Sequence, residues 1–131
     1  VTTTNAAVRA EVARVLVENV GGVNVYDYPP DTIQAPAVIL GGIDWVGDTM
    51  PGANRVVTMP LYVAVSRRNT NYLADLDELC DQGGALVGSF GDAPTATGMD
   101  SWQVTSVGSY RDINIGDTDY YAATVTLEVF C

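Results

Sequence analysis

The 131-residue sequence predicts one α+β domain: an antiparallel-rich mixed sheet with two helices packed on one face, in the order α-β-β-β-α-β-β. Three observations carry this reading. Apolar residues recur at helical spacing in two stretches, near the N-terminus and after position 70. Between and after them, long runs alternate with period two. The connections are short and no repeat or low-complexity linker divides the chain, so runs of strands interrupted by helices form a single layered unit.

The first helix occupies Asn5 to Val20. Val8, Val12, Val15 and Leu16 define one apolar face, with Arg9, Glu11, Arg14 and Glu18 on the others. Thr4 or Asn5 can cap its start, and Gly21-Gly22 supplies a left-handed residue at its end. Val23 to Tyr28 alternates and is stopped by Pro29-Pro30, as a short strand would be. After a loop at 31–36, the run Ala37 to Val46 begins with continuous apolar residues, suiting a strand buried on both sides, while Gly41-Gly42 weakens or bulges its middle. Pro51-Gly52 turns the chain into a long strand, Arg55 to Ser66, where Val57, Met59, Leu61, Val63 and Val65 share a face. Pro60 cannot donate to a ladder, so a bulge or a sheet edge is expected there.

The break Arg67-Arg68-Asn69 leads to Thr70 or Asn71 as cap of a second helix. Leu73, Leu76, Leu79, Cys80, Leu86, Val87 and Phe90 mark its apolar side, Asp75, Asp77, Glu78 and Asp81 its wet side, and Gly83-Gly84 a kink or pause. A loop at 91–100 precedes an alternating strand from Ser101 to Tyr110. After a polar loop from Arg111 to Thr118, the strand Asp119 to Phe130 aligns Tyr121, Ala123, Val125, Leu127 and Val129.

Composition excludes several chemistries. There is no His and no Lys, and six Arg face sixteen Asp plus Glu, for a net charge of −10. General-base histidine, Ser-His-Asp and Cys-His sites, imidazole metal ligands, Schiff-base lysine and a phosphate-loop lysine are therefore absent. Wrapping of DNA is disfavoured by charge. No apolar run reaches the length of a membrane span and no leader pattern precedes the first helix, so the expectation is a soluble intracellular product without a membrane partner. Cys80 and Cys131 form no metal motif, and Cys80 reads as a small core hydrophobe. No cofactor or metal is expected. The acidic stretch Asp112 to Asp119 misses the calcium-loop template, because its glycine falls one place early and no Glu closes it. The carboxylates at 75–81 read as a solvated helix face rather than a glycosidase pair.

Charged residues are only 17% of the chain against 47% hydrophobic, below the ~25% charge of an ordinary soluble domain. Sides that pack against other subunits would account for this. Arg67-Arg68, the only basic pair, is either a solvated strand end or a salt-bridge donor to an acidic neighbour. Trp45 and Met50, near a Pro/Gly loop tip, form a second contact candidate.

The chain resembles the tail terminator proteins of long-tailed bacteriophages, with related neck and minor tail proteins. The resemblance rests on the helix ending at Gly21-Gly22, the string Val23-Asn24-Val25-Tyr26-Asp27-Tyr28-Pro29-Pro30, and the string Ala35-Pro36-Ala37-Val38-Ile39-Leu40. It continues through the long strand, the second helix rich in Leu and Asp, and the closing strand Tyr120 to Val129. It implies a non-enzymatic virion protein, assembled in the host cytoplasm, that forms a homohexameric ring at the head-proximal end of the tail tube. Such a ring stops tube growth and joins the head connector, so the implied partners are further copies of itself, the tail tube protein and the connector or adaptor proteins. Genomic DNA would pass through without sequence-specific binding. On this reading Trp45, Met50, Arg55, Tyr62, Arg67 and Arg68 belong to a subunit or tube interface. Asp44, Asp48, Asp112, Asp117 and Asp119 belong to an acidic channel or loop surface that repels phosphate. The alternatives are a head-completion or connector-joining neck protein and, from another class, a small ligand-binding α+β module using a pocket between helices and sheet. An enzyme working through carboxylates alone ranks below these.

Overall fold

A computed structural model describes residues 4–47, 55–68, 70–81, 83–92, 94 and 99–130. The elements are α1 (Asn5–Asn19), β1 (Asn24–Tyr26), β2 (Ala37–Leu40), β3 (Asp44–Gly47), β4 (Arg55–Ser66), α2 (Tyr72–Leu79), α3 (Ala85–Gly88), β5 (Ser101–Ile115) and β6 (Thr118–Phe130). Six strands form one sheet in the order β1-β2-β4-β6-β5, with β3 also pairing β4. Among the described residues only the β1–β2 pair is parallel. The mixed, mostly antiparallel α+β architecture is the one the sequence predicts.

All three helices pack on one face. Val8, Val12, Val15 and Leu16 of α1, Leu76 of α2 and Leu86 of α3 share a core with Val57, Met59, Leu61, Val63 and Val65 of β4 and with Ala123, Val125, Leu127 and Val129 of β6. The helical spacing and the period-two spacing thus meet in one apolar layer. Thr4 caps α1 by accepting from the Ala7 N–H at 3.1 Å, and Gly22 takes a φ of 74° just past its end. Glu11, expected on a wet face, is only 5% exposed and pairs with Arg14, which also reaches Glu18 at 2.9 Å. Arg14 can afford this because it lies one helical turn from each partner.

Four boundaries differ from expectation. The first strand is confined to Asn24–Tyr26, since only these residues pair with β2 and the chain bends at Asp27 and Tyr28 before the two prolines. The second helical stretch divides into α2 and α3 around Gly83-Gly84, the predicted pause, and Leu73 is exposed because the eight-residue α2 turns only Leu76 fully inward. The strand expected over Ala37 to Val46 is interrupted. Leu40 faces Leu61 and Asp44 faces Thr58, so Gly41, Gly42 and Ile43 stand opposite only Pro60 and Met59. This is a bulge in the neighbour of β4. The Pro60 carbonyl accepts from the Gly41 N–H at 2.8 Å, which puts its missing N–H on the bulged side, while pairing with β6 runs through Pro60 undisturbed.

The largest correction concerns the supposed loop at 111–118. Asp112 lies within β5 and pairs Tyr121, and Ile115 pairs Thr118 across a two-residue turn in which Gly116 and Asp117 have φ of 58° and 65°. Two successive left-handed residues match the twist of a tight hairpin. Irregularities at Val104/Ser106 and Gly108/Arg111 let the 15-residue β5 follow β6.

The opposite face of the sheet carries a smaller cluster at one end only. Ile33, Ala37, Ile39, Ala64, Tyr120 and Ala122 are buried there, with Ile113 and Ile115 packed alongside. The Tyr120 hydroxyl donates to the Ile33 carbonyl at 3.1 Å, tying the 27–36 segment over this end.

Candidate functional surfaces

Three places on the molecule concentrate features beyond core packing. The first is the hairpin end of the sheet. Arg67, just past β4, forms an ion pair with Asp112 of β5. Its guanidinium also lies 5.1 Å from the Tyr72 ring centroid and 6.0 Å from that of Tyr121. Tyr72 and Tyr121 meet edge to face at 5.3 Å, and Tyr110 meets Tyr121 at 6.1 Å. Arg67 therefore sits in an aromatic socket closed by a carboxylate of its own chain. Burial and a hydrogen bond to Asp77 push the Tyr110 hydroxyl up to about 12. Beside this socket, Asn114 donates to Asp119 at 2.9 Å, bracing the turn that carries Asp117. Arg68 and Arg111 are exposed and enter no ion pair among the described residues.

This arrangement joins two residues that the sequence assigned to separate surfaces, Arg67 to the interface and Asp112 to the acidic lining. The remaining predicted residues do not converge. Asp44 is level with Thr58 of β4, whereas Asp112 is level with Val65 through Tyr121. Seven residues separate those levels, about 23 Å at ~3.3 Å per residue. Asp117 and Asp119 stay with Asp112 at the hairpin end. Trp45 is 55% exposed and pairs Val57, which puts it on the helix-bearing side of the sheet, while Tyr62 belongs to the opposite side. Arg55 begins β4, where only its backbone is described. Met50 and Asp48 lie outside the described residues.

The second place is the uncovered part of the face opposite the helices. Beyond the small cluster, Val56, Thr58, Pro60 and Tyr62 of β4 and Thr124, Thr126, Glu128 and Phe130 of β6 are half-buried. Their neighbours on β5 are Ser101, Gln103, Ser106 and Gly108. Among the described residues Glu128 is the one charge in this central strip, with Asp44 at one margin and Arg111 at the other. Period-two alternation locates this face in the sequence. Its lack of cover was legible only as an aromatic and apolar content on both sides of the long strands.

The third place is a cleft of about 450 Å³ on the helix side, which no sequence motif marks. The chain after α1 (Val20 to Val23), Ala35-Pro36 before β2, the end of β4 (Val65, Ser66), α2 and the start of α3 enclose it. The Ala35–Pro36 peptide bond is cis.

Among the described residues no group of three or more His, Cys, Asp or Glu side chains is placed to hold a metal ion, and no helix is long and apolar enough to cross a membrane. Cys80 is buried at the end of α2, where desolvation and the charge of Asp77 push its thiol up to about 11. No family model matches the chain, and no curated protein matches it in sequence.

Proposed function

We propose that the chain is a structural virion protein of the tail-terminator kind, a ring subunit that caps the head-proximal end of a phage tail tube and presents a joining surface to the head connector. The observation that carries this reading is the uncovered sheet face. A half-buried surface of Val, Thr, Pro, Tyr and Phe with, among the described residues, a single central carboxylate is poorly suited to permanent contact with water. It is well suited to burial against another copy. The margins carry Asp44 and Arg111, opposite charges on opposite edges of the sheet. Head-to-tail contact between such edges generates a closed ring when the rotation closes. Acidic groups at the hairpin end, Asp117 and Asp119, would face phosphate without retaining it.

The test is assembly. Light scattering and negative-stain microscopy of the purified chain, alone and mixed with tail tubes, should reveal closed rings and capped tubes of defined length. A chain that stays monomeric in the presence of tubes, and leaves their lengths unchanged, would sink the proposal.

A further inference from the structure

We infer that copies of this chain meet head to tail, with the outward side of α1 of one copy seated on the open sheet face of the next. The inference rests on the ring reading and adds to it the surface that covers the open face.

The two surfaces lie on opposite sides of the molecule. α1 packs against the sheet through Val8, Val12, Val15 and Leu16, yet its outward side is apolar as well, with Ala6, Ala10 and Val17 all exposed. Val17, at 65%, is the most exposed large hydrophobic among the described residues. A helix that is apolar on both sides is suited to being covered on both. α2 is a poorer occupant, because its exposed Asp77 and Glu78 would meet Glu128 and Asp44 of the open face as like charges. Each copy carries one α1 and one open face, so the contact is heterologous, the kind that closes into rings.

Length and charge agree. Asp44 and Arg111 mark diagonal corners of the open strip: Asp44 pairs Thr58, while Arg111 is level with Ala64 through Ala122, six residues further along β4 and on its other side. That is about 20 Å at ~3.3 Å per residue, and the 15-residue α1 is about 22 Å long. Arg9 and Glu18 of α1 are nine residues apart, about two and a half turns, and so occupy opposite flanks toward opposite ends. β4 and β5 run in the same direction, both antiparallel to β6, and are joined through α2 and α3; crossovers of this kind are right-handed. With that hand, α1 laid along β4 with its start at the Val56 end sets Arg9 beside Asp44 and Glu18 beside Arg111. The reverse direction sets like charges together. Arg9 is already held by the Asp27 carbonyl at 2.8 Å and the Tyr28 ring, and Glu18 by Arg14, so these charges orient the approach and the apolar sides supply the contact. In this register Ala10 lies over Thr126 and Val17 over Thr124, whose β5 neighbours are the small Ser106 and Gly108.

The test mixes two chains, each with Cys131→Ser and one added substitution, Ala10→Cys in the first and Thr126→Cys in the second. Mild oxidation of the mixture should give a disulfide-linked pair containing one chain of each kind, and either chain alone should stay unlinked. Val17→Arg should keep the urea midpoint of the parent chain and lose the ring in light scattering. Rings that persist in Val17→Arg, or a ring-forming mixture that yields no mixed pair, would overturn the inference and leave the ring reading standing. Self-linking of Thr126→Cys would also overturn it, since two open faces would then be meeting each other. A parent chain that stays monomeric with and without tail tubes would overturn both.

Discussion

Arg67 is held by two kinds of attraction at once, the Asp112 carboxylate and the faces of Tyr72 and Tyr121. Both partners of the ion pair are substantially exposed, so its weight lies in positioning the β4 end against β5 rather than in stability. If copies close into the proposed ring, Arg67→Asp should impair assembly by loosening the hairpin end, and adding Asp112→Arg should restore the share that the ion pair contributes, by reversing it within one chain. Assembly restored by the double variant would show that the pair acts within one chain, and assembly unaffected by Arg67→Asp would remove Arg67 from the positioning of the hairpin end. Cys80 gives a pH prediction. Desolvation first and Asp77 second raise its thiol from 9.0 to about 11 in the folded chain. The unfolded chain releases that proton at lower pH, so stability is undiminished below about pH 9 and falls as pH rises toward 11. Tyr110, raised from 10.0 to about 12, extends the decline. Urea midpoints at pH 8 and pH 10.5 should show the fall, and Cys80→Ala should reduce it; a flat profile would refute the assignment. The burial of Cys80 could be inferred from its place in the stripe of Leu76 and Leu79, because spacing reports faces. The Arg67–Asp112 pair could not, because 45 residues separate partners that only the sheet register brings together.

Among the elements, α1, β4 and β6 were legible because each repeats its period long enough to fix one face, and those faces form the core. The hairpin turn was missed because Asp112, Asn114, Asp117 and Asp119 look like loop residues, while the decisive signal was a Gly-Asp pair able to take two positive φ values. Gly116 is doubly constrained, by its φ of 58° and by the Asp31 carbonyl, 2.6 Å from where a Cβ would lie. Gly116→Ala should cost about 1–3 kcal/mol in urea unfolding. Asp117→Gly should be neutral or slightly stabilising, since the left-handed backbone there suits glycine. At the bulge, a Cβ on Gly41 would lie 2.7 Å from Pro60 Cγ and 2.8 Å from Tyr62 Cε2. Gly41→Ala should also destabilise by about 1–3 kcal/mol, whereas Gly42→Ala, with nothing within 4 Å, should change stability by less than about 1 kcal/mol. Similar losses at both positions would contradict the bulge geometry. Gly41-Gly42 signalled a disturbance in sequence, but only the register specifies that Gly41 carries the contact.

At the scale of the whole molecule, the two faces of the sheet make different demands. The helix-bearing face carries the main apolar layer, and Leu127, fully buried between Met59 and Val104, is part of it. Leu127→Ala should cost about 2–5 kcal/mol through lost packing and a residual cavity. The opposite face is closed only where Ile33 and Tyr120 meet, and Thr124 and Thr126 stand in the part left open. Replacing both with Arg should hardly affect the isolated chain, because the long side chains can rest along the sheet with their charges in water. In a ring buried through this face the same two charges would be desolvated without partners, at a cost far above that of an exposed substitution. The double variant should thus keep its urea midpoint and lose assembly, read as a shift from ring to monomer in light scattering. Leu127→Ala provides the contrasting control, weakening the fold by a route that does not require the open face. If the Thr124→Arg, Thr126→Arg chain still forms rings at unchanged yield, the open face is not where copies meet, and the low charge of the strip between Asp44 and Arg111 requires a different partner.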